Sequence, residues 1–355
     1  MKAIQSTGYS ILFQEDAYLY LNNHLRDNKY SNIFILVDEN TREYCLPKFI
    51  KKISSDFKCQ VISIKAGEQN KNIATCLEVW TALTNLQADR KSLLINLGGG
   101  MITDLGGFVA STFKRGINFI NIPTTLLSIV DASVGSKTGV DLGNLKNLIG
   151  CFSDPEMVAI DTSFLKTMTD RDLKSGMAEI IKYGLSYDHL LWEKLKPMKN
   201  PFNENLNEFL HRSIEIKNEI VLQDPKEKSL RKVLNFGHTI GHAIESYFLG
   251  SDTKKALTHG EAIGIGMIIE AYASNKLLGF PKEEVTTLKN IIETLYGKVH
   301  IPQNDYHELL DLMKFDKKNV GSTVNFVLLE AVGAFKIDCE VPLDVLIEGL
   351  NYYNN

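Results

Sequence analysis

Short apolar runs that end at glycine, proline or a charged residue recur through the first half of the chain, and this pattern limits its possible folds. Four such runs cover Ile33–Val37, Val61–Ile64, Ser92–Leu97 and Phe119–Ile122, with helically spaced segments between them. Apolar strands that alternate with helices are typical of a parallel sheet covered on both faces. We therefore predict an N-terminal α/β domain with functional groups in the loops that follow its strands.

The pattern changes near residue 165. Helical periodicity then dominates, for example over Lys232–Phe248, and the later strand candidate is Val324–Leu329. We predict two domains, residues 1–165 and 166–355. The length of 355 residues agrees, because single domains cluster near ~100–200 residues.

Composition excludes several classes of function. Lys and Arg number 39 against 43 Asp and Glu, so no global basic field is available for a nucleic acid or an anionic membrane. The five cysteines are scattered and form no CxxC pair, which indicates reduced thiols. The chain lacks an apolar run of 18 residues, and its start does not resemble a secretory signal. We expect a soluble, cytoplasmic protein with no nucleic-acid or membrane partner.

A glycine-rich loop indicates a phosphate-binding site. Gly98–Gly100 follows a predicted buried strand and precedes a helix that contains Thr103 and Asp104. Such a loop lets the backbone approach a pyrophosphate, which the N–H groups of the helix N-terminus then bind. Because Thr103 stands where a third glycine would complete GxGxxG, a simple tight turn is the alternative.

A second segment, Pro123–Gly139, combines hydroxyls, glycines, the carboxylate of Asp131 and the amine of Lys137, and Lys146 and Asn147 follow it. These groups suit an oxyanion or phosphate pocket. The alternative is a hydroxyl-rich surface loop, which the apolar residues in the middle of the segment disfavour.

Three of the eight histidines fall within 22 residues. His238 and His242 lie one helical turn apart, and His259 opens the next predicted helix. With Glu179 as the carboxylate candidate, two of these imidazoles would suffice to bind Zn²⁺ or a similar ion. The third would then be free as a general base, and the spacing does not decide which one. The alternative for any lone helical histidine is a structural role.

Four basic residues accompany these motifs: Lys182, Lys217, Arg231 and Lys336. Arg231 lies four residues before Asn235 and seven before His238, so on a continuous helix all three would project into one site. The alternative is that any one of the four is a solvated surface group.

Taken together, the motifs resemble the 3-dehydroquinate synthase family of sugar-phosphate cyclases over essentially the whole chain. The matching stretches are residues 67–71, 98–108, 114–116, 123–141, 146–150, 175–184, 231–245 and 258–267. The resemblance implies a Rossmann-like NAD-binding domain, an all-α metal-binding domain, an active site between them and a homodimer. It also implies a phosphate-eliminating lyase that converts 3-deoxy-D-arabino-heptulosonate 7-phosphate (DAHP) into 3-dehydroquinate, in the shikimate pathway.

The same resemblance implies residue roles. Glu179, His238 and His259 would hold Zn²⁺ or Co²⁺, which leaves His242 for acid–base chemistry. The NAD⁺ contacts would be Asp38, Asn40, Glu68, Lys71, Gly99, Gly100, Asp104, Thr124, Thr125 and Lys146. The catalytic residues would be His242, Lys182, Asp131, Lys137 and Asn147. The remaining substrate contacts would be Lys217, Arg231, Asn235, Lys336 and, from the other subunit, Arg115.

Two positions depart from the family pattern. Ser136 stands where the family usually has glycine, which matters if that position needs a positive φ. Asp141 stands in place of the usual asparagine. Three rival functions remain: a cyclase that acts on a sugar phosphate without a carboxylate, a metal-dependent polyol dehydrogenase, and a non-catalytic NAD-binding regulator.

Overall fold

The computed structural model describes residues 1–143, 145–198, 202, 206–250, 254–313 and 324–355. These residues form two compact units, Met1–Thr169 and Asp170–Asn355. The boundary between the units lies four residues after the predicted position, residue 169 against 165. Within the described parts of the chain, none of the helices is long and apolar enough to cross a membrane.

The first unit is built on a seven-stranded sheet with the order β1-β2-β9-β6-β5-β3-β4, parallel except for the β1–β2 pair. Its strands are β1 Ile4–Gln5, β2 Ser10–Phe13, β3 Ile33–Asp38, β4 Cys59–Ile64, β5 Leu93–Gly98, β6 Asn118–Pro123 and β9 Met157–Ile160. Its helices are α1 Gln14–Asn28, α2 Glu39–Tyr44, α3 Leu46–Ile50, α4 Ile73–Asn85 and α5 Gly100–Thr112. The predicted parallel α/β sheet is thus confirmed.

Apolar side chains cover both faces of this sheet. Ile33, Ile35 and Val37 of β3 belong to one buried cluster, whereas Phe34 and Leu36 belong to the cluster on the opposite face. Because side chains alternate along a strand, a strand covered on both faces must be apolar at every position. This two-sided burial explains the continuous apolar runs in the sequence.

The region predicted as a phosphate pocket, Pro123–Gly139 with Lys146 and Asn147, overlaps two elements that the sequence did not reveal. A π-helical turn covers Ser128–Ala132, and an antiparallel hairpin pairs β7, Lys137–Leu142, with β8, Leu145–Phe152. The hairpin packs against α5. Its second strand alternates between half-buried and exposed residues and so lacks the continuous apolar run that marks the central strands.

The second unit is mainly helical. It comprises α6 Asp170–Ser186, α7 His189–Leu195, α8 Leu206–Gln223, α9 His238–Leu249, α10 His259–Leu278, α11 Lys282–Tyr296, α12 Tyr306–Leu312 and α13 Leu343–Asn354. It also holds an antiparallel hairpin of β10, Phe326–Ala331, and β11, Ala334–Cys339. The sequence indicated β10 alone, because β11 alternates between exposed and half-buried residues.

The helix predicted over Lys232–Phe248 is wrong in its first part. Leu230–Asn235 forms a 3₁₀ turn. Gly237 then adopts the left-handed conformation, with φ of 77°, and interrupts the helical backbone just before α9 begins. The fully buried carboxylate of Glu270 accepts a hydrogen bond from Gly237 N at 2.7 Å. A carboxylate there also complements the positive end of the α9 dipole.

Helix α10 contacts α6 and α9 at glycines that leave no room for a side chain. A Cβ atom on Gly260 would lie 2.1 Å from Ser175 O of α6. A Cβ atom on Gly266 would lie 2.1 Å from Gly237 O, immediately before α9. These close approaches bring the polar groups of three helices within reach of one another.

Candidate functional site

Glu179, His238 and His259 converge from three helices of the second unit. Glu179 Oε1 lies 3.2 Å from His238 Nε2 and 3.3 Å from His259 Nε2. Glu179 is fully buried on α6, and the two histidines are the first residues of α9 and α10. Two atoms that each lie ~2.1 Å from a tetrahedral zinc ion are separated by about 3.4 Å. The spacing and the nitrogen–oxygen donor set therefore fit a divalent metal such as Zn²⁺ or Co²⁺.

The far nitrogen of each imidazole also has a partner. His238 Nδ1 lies 3.1 Å from Phe236 O, and His259 Nδ1 lies 3.3 Å from Glu245 Oε2. Such partners fix the orientation of a metal-binding histidine. Sequence reasoning assigned no role to Glu245; its position seven residues after His238, on the same face of α9, was the available signal.

His242 belongs to the same cluster of imidazoles. Its ring centroid lies 5.2 Å from that of His238 and 6.0 Å from that of His259. Metal-ligand geometry is available to two overlapping groups, Glu179 with His238 and His259, and His242 with Glu245 and His259. We favour the first group, because one oxygen of Glu179 faces both imidazoles.

Lys182 connects this cluster to the 3₁₀ turn. Its buried ammonium pairs with Glu179 Oε2 and donates to Leu234 O at 2.9 Å. Burial would raise the pKa of Glu179, but Lys182 and His238 outweigh burial and hold that pKa well below its usual range. The carboxyl of Glu179 is therefore ionised, as a metal ligand must be.

The two imidazoles differ in their protonation. Burial and the nearby Lys182 ammonium lower the pKa of His238 to about 3, so this ring is neutral. Burial also disfavours the charged form of His259, but the carboxylates of Glu179 and Glu245 raise the pKa of His259 to about 10. A metal ion would have to displace a proton from His259 to bind its nitrogen.

Asp224, the residue that follows α8, organises the segment that carries Arg231. Its carboxylate accepts hydrogen bonds from the backbone N–H groups of Lys228, Ser229 and Arg231 at 3.0, 2.7 and 3.0 Å. Burial would raise the pKa of Asp224, but these N–H groups lower it. Arg231 itself is buried and donates from Nη1 to Pro225 O at 3.0 Å.

The other predicted substrate contacts in this unit differ in exposure. Lys217 is buried on α8, and Asn235 Nδ2 donates to Glu227 Oε1 at 2.9 Å. By contrast, the side chain of Lys336 on β11 is 54% exposed and pairs with Glu330 at 2.9 Å. Among these residues, Lys336 presents its charge most openly to solvent.

In the first unit, a hydrogen-bonded network joins several of the predicted cofactor and phosphate contacts. The buried Lys71 Nζ donates to Asp104 Oδ2 and to Asn147 Oδ1, both at 2.6 Å. Lys146 Nζ pairs with Glu68 Oε1 at 3.0 Å. Burial would lower the pKa of Lys71, but the carboxylates of Asp104 and Glu68 raise it, so this lysine is charged.

The glycine loop forms the start of α5. Gly99 is the N-cap residue, and Thr124 N after β6 donates to Gly98 O at 3.0 Å. The side chain of Thr125 lies so close to Gly99 that a Cβ atom there would be 3.0 Å from Thr125 Cγ2. Gly100 is the first residue of the helix. These residues thus gather at the carboxyl ends of β5 and β6.

The remaining predicted residues of the first unit occupy loops and element ends. Asp38 caps α2 by accepting from Thr41 N at 2.7 Å, and Asn40 is exposed on that helix. Asp131 lies in the π-helical turn, and Lys137 opens β7. Arg115 is exposed and has φ of 70°.

Asp141, one of the two departures from the family pattern, positions the turn of the β7–β8 hairpin. Its Oδ1 accepts from Asn147 N at 2.6 Å, and its Oδ2 lies 3.4 Å from Lys146 Nζ. Asn147 has φ of 51°, and this hydrogen bond holds its backbone in that conformation. Ser136, the second departure, has φ of 63° and so occupies the left-handed region.

Two solved synthases have the same fold as this chain. A 2-deoxy-scyllo-inosose synthase, solved with carbaglucose-6-phosphate, NAD⁺ and Co²⁺, superposes with a TM-score of 0.85 at 23% identity and covers 99% of each chain. The 2-epi-5-epi-valiolone synthase of Streptomyces hygroscopicus, solved with NAD⁺ and Zn²⁺, also gives 0.85, at 24% identity over 99% of this chain and 98% of that one. These likenesses establish the fold, which this chain shares with both synthases.

Sequence comparison identifies the family. The family model for the N-terminal part of 3-dehydroquinate synthase matches residues 61–175, and the C-terminal model matches residues 176–319. A 3-dehydroquinate synthase of Parabacteroides distasonis is 43% identical over 338 residues, 94% of each chain. The chain therefore belongs to the 3-dehydroquinate synthase family. It is an enzyme, a phosphate-eliminating cyclase of the carbon–oxygen lyase type.

Proposed function

We propose that this chain converts DAHP into 3-dehydroquinate and phosphate, with NAD⁺ and one divalent metal as cofactors. The overall reaction comprises a transient oxidation, elimination of phosphate, re-reduction, ring opening and an intramolecular aldol closure. The observation that carries the proposal is the convergence of Glu179 Oε1 with His238 Nε2 and His259 Nε2 within 3.3 Å. When bound, the metal would supply Lewis-acid polarisation and NAD⁺ a hydride acceptor.

The residues of the second unit supply charge stabilisation, acid–base catalysis and binding of the substrate carboxylate. Lys182 supplies a fixed positive charge beside the metal ligands, where a developing negative charge on the substrate needs stabilisation. His242 is the acid–base residue of the imidazole cluster. Arg231, with Asn235, Lys217 and Lys336, holds the carboxylate end of the substrate, for which a planar guanidinium provides paired donors.

In the first unit, we assign Lys137 and Asn147 to the phosphate group, with Asp131 beside them. The NAD⁺ contacts are assigned to the loops after β3, β4, β5 and β6 and to Lys146. Support comes from the buried Lys71, which connects the cofactor residue Asp104 to Asn147 through two hydrogen bonds of 2.6 Å. Most of the rate acceleration then comes from positioning and fixed charge.

We further propose a cytoplasmic homodimer in which Arg115 enters the active site of the neighbouring subunit. Arg115 follows Lys114 and precedes Gly116, and all three residues have positive φ, 49°, 70° and 114°. Three consecutive residues in this region hold the loop in an unusual path. Arg115 is also exposed, as a contribution to a partner requires.

An assay of phosphate release from DAHP tests the proposed function. We expect release that depends on both NAD⁺ and the metal, is abolished by EDTA, and leaves absorbance at 340 nm unchanged at steady state. A parallel assay uses sedoheptulose 7-phosphate, which lacks the carboxylate. Release from that substrate but not from DAHP would contradict the proposal, and stoichiometric accumulation of NADH would identify a dehydrogenase instead.

A further inference from the structure

The residue before Lys137 adopts a conformation that its side chain disfavours. Ser136 has φ of 63°, next to Gly135 with φ of 100°. An L-residue with a Cβ atom is destabilised in this left-handed region unless its surroundings hold it there. Because Lys137 is the first residue of β7, the conformation of Ser136 sets the direction in which the strand and its lysine begin.

Hydrogen bonds fix this turn on both sides. Ser136 O accepts from Ser153 N at 2.8 Å, which closes the open end of the β7–β8 hairpin. Gly135 N donates to the hydroxyl of Tyr9 at 3.0 Å, and Tyr9 is only 2% exposed. A further contact involves the side chain of Ser136, whose Oγ donates to Asp154 Oδ1.

Asp154 in turn is held by the loop after β1. Its Oδ2 accepts a hydrogen bond from Thr7 Oγ1 at 3.5 Å. It also lies so close to Gly8 that a Cβ atom there would be 2.8 Å from Asp154 Oδ2. The carboxylate therefore bridges the N-terminal loop and the turn that precedes Lys137.

We propose that Asp154 is a positioning residue for phosphate binding: it holds Ser136 in the left-handed conformation and thereby directs Lys137 toward the substrate phosphate. The inference rests on the proposed assignment of Lys137. Asp154 acts through Ser136 and through its capacity to accept a hydrogen bond. Its negative charge can only oppose the binding of an anion nearby.

Kinetics of the full-length, NAD⁺- and metal-loaded enzyme separate the effect of the hydrogen bond that Asp154 accepts from the effect of its negative charge. Removing the acceptor with Asp154→Ala is expected to raise the KM for DAHP and the inhibition constant of inorganic phosphate by about 5-fold, the equivalent of one lost hydrogen bond. The KM for NAD⁺ stays unchanged. Asp154→Asn keeps an acceptor without the charge, and we expect its constants to stay within about 2-fold of the parent.

Glycine at position 136 provides the decisive control. Glycine adopts positive φ without the Cβ penalty, so Ser136→Gly should make the contact dispensable. We therefore expect Asp154→Ala to change the KM for DAHP in the Ser136 enzyme and to have little further effect in the Ser136→Gly enzyme. Equal effects of Asp154→Ala in both backgrounds, or none in the Ser136 enzyme, would overturn the proposal.

Two further measurements separate failure of this inference from failure of the proposed function. Lys137→Met should raise the KM for DAHP well beyond the effect of Asp154→Ala; an unchanged KM would remove Lys137 from the phosphate site. Amide hydrogen exchange over residues 134–142, with no substrate present, tests the contact by itself. Faster exchange in Asp154→Ala than in Asp154→Asn supports it, and equal exchange in the two variants contradicts it.

Discussion

The imidazole of His259 is held through both of its nitrogen atoms. Nε2 faces Glu179 at 3.3 Å and Nδ1 faces Glu245 at 3.3 Å, so the ring has little freedom to turn. His238 is oriented similarly, between Glu179 and a backbone carbonyl. A ligand set oriented in this way before metal arrives does not have to be ordered during binding, which favours affinity.

This argument predicts that Glu245 controls metal affinity without being a metal ligand. The change Glu245→Ala removes the partner of His259 Nδ1 and should weaken binding of Zn²⁺ or Co²⁺ by about 10–100-fold. Competition with a chromophoric chelator measures the dissociation constant. Glu308→Ala, at an exposed position of α12, is the matched control. Unchanged affinity in Glu245→Ala would show that Glu245 does not position His259.

At the scale of helices, the proposed metal site depends on how closely α10 can approach its neighbours. Backbone atoms of α10 nearly touch Ser175 and Gly237 because Gly260 and Gly266 have no side chains. Interiors are close-packed, so a single added methyl group there must displace a helix or distort it. The glycines of α10 thus serve close packing of helices.

Gly266→Ala should therefore lower both stability and metal binding. Its Cβ atom would lie 2.1 Å from Gly237 O, and the resulting overpacking should reduce the free energy of unfolding by about 1–3 kcal/mol or more. Urea denaturation and metal titration measure the two effects. Gly250→Ala is the control, because the Cβ atom added there would come no closer than 3.3 Å to its nearest neighbour, Ser246 O. Equal stability of the two variants would contradict the packing argument.

Asp161, in the turn after β9, is expected to make the stability of the protein depend on pH. Asp161 accepts from Ser163 N at 2.9 Å and from the hydroxyl of Tyr18 at 2.8 Å. Burial would raise the pKa of Asp161, but these donors and Lys52 lower it below its usual value. Its contribution to stability is therefore present above pH ~4, the unfolded value, and is lost as the pH falls through the lower folded pKa.

Comparison of Asp161→Asn with the parent protein tests this dependence. The stability difference between them should shrink as the pH is lowered from about 6 toward about 3, where the parent carboxylate also becomes neutral. Denaturation curves at several pH values give the difference, with Asp27→Asn at an exposed position of α1 as the control. A difference that does not change with pH would contradict the argument.

For the molecule as a whole, the sequence was informative where local patterns decide the structure. The central strands were predictable because burial on both faces requires apolar residues throughout. The residue types predicted Glu179 with two of the three clustered histidines, and the family resemblance specified His238 and His259. The interruption of the predicted helix at Gly237 was not predictable, because a long-range hydrogen bond to Glu270 stabilises it. Glu245 was missed for the same reason: its partner His259 lies on another helix.

The proposed dimer predicts complementation between two defective enzymes. Arg115→Ala removes the side chain proposed to enter the partner's site, and His259→Ala removes a proposed metal ligand of its own subunit. A mixed dimer of the two has one intact active site, so random mixing should restore about a quarter of the parental activity, as expected for a closed symmetric dimer. Activity that remains at the level of the separate variants after subunit exchange would contradict a shared site.

The central claim, that Glu179, His238 and His259 hold one divalent ion, is tested most directly by metal content. The parent protein and His259→Ala are stripped with chelator, reloaded with Co²⁺, freed of excess ion and analysed by elemental analysis and by visible absorption. The claim predicts about one ion per chain with a cobalt absorption band for the parent, and loss of both for His259→Ala. His307→Ala, at an exposed position of α12, should behave like the parent. Full cobalt occupancy in a folded His259→Ala protein would contradict the claim.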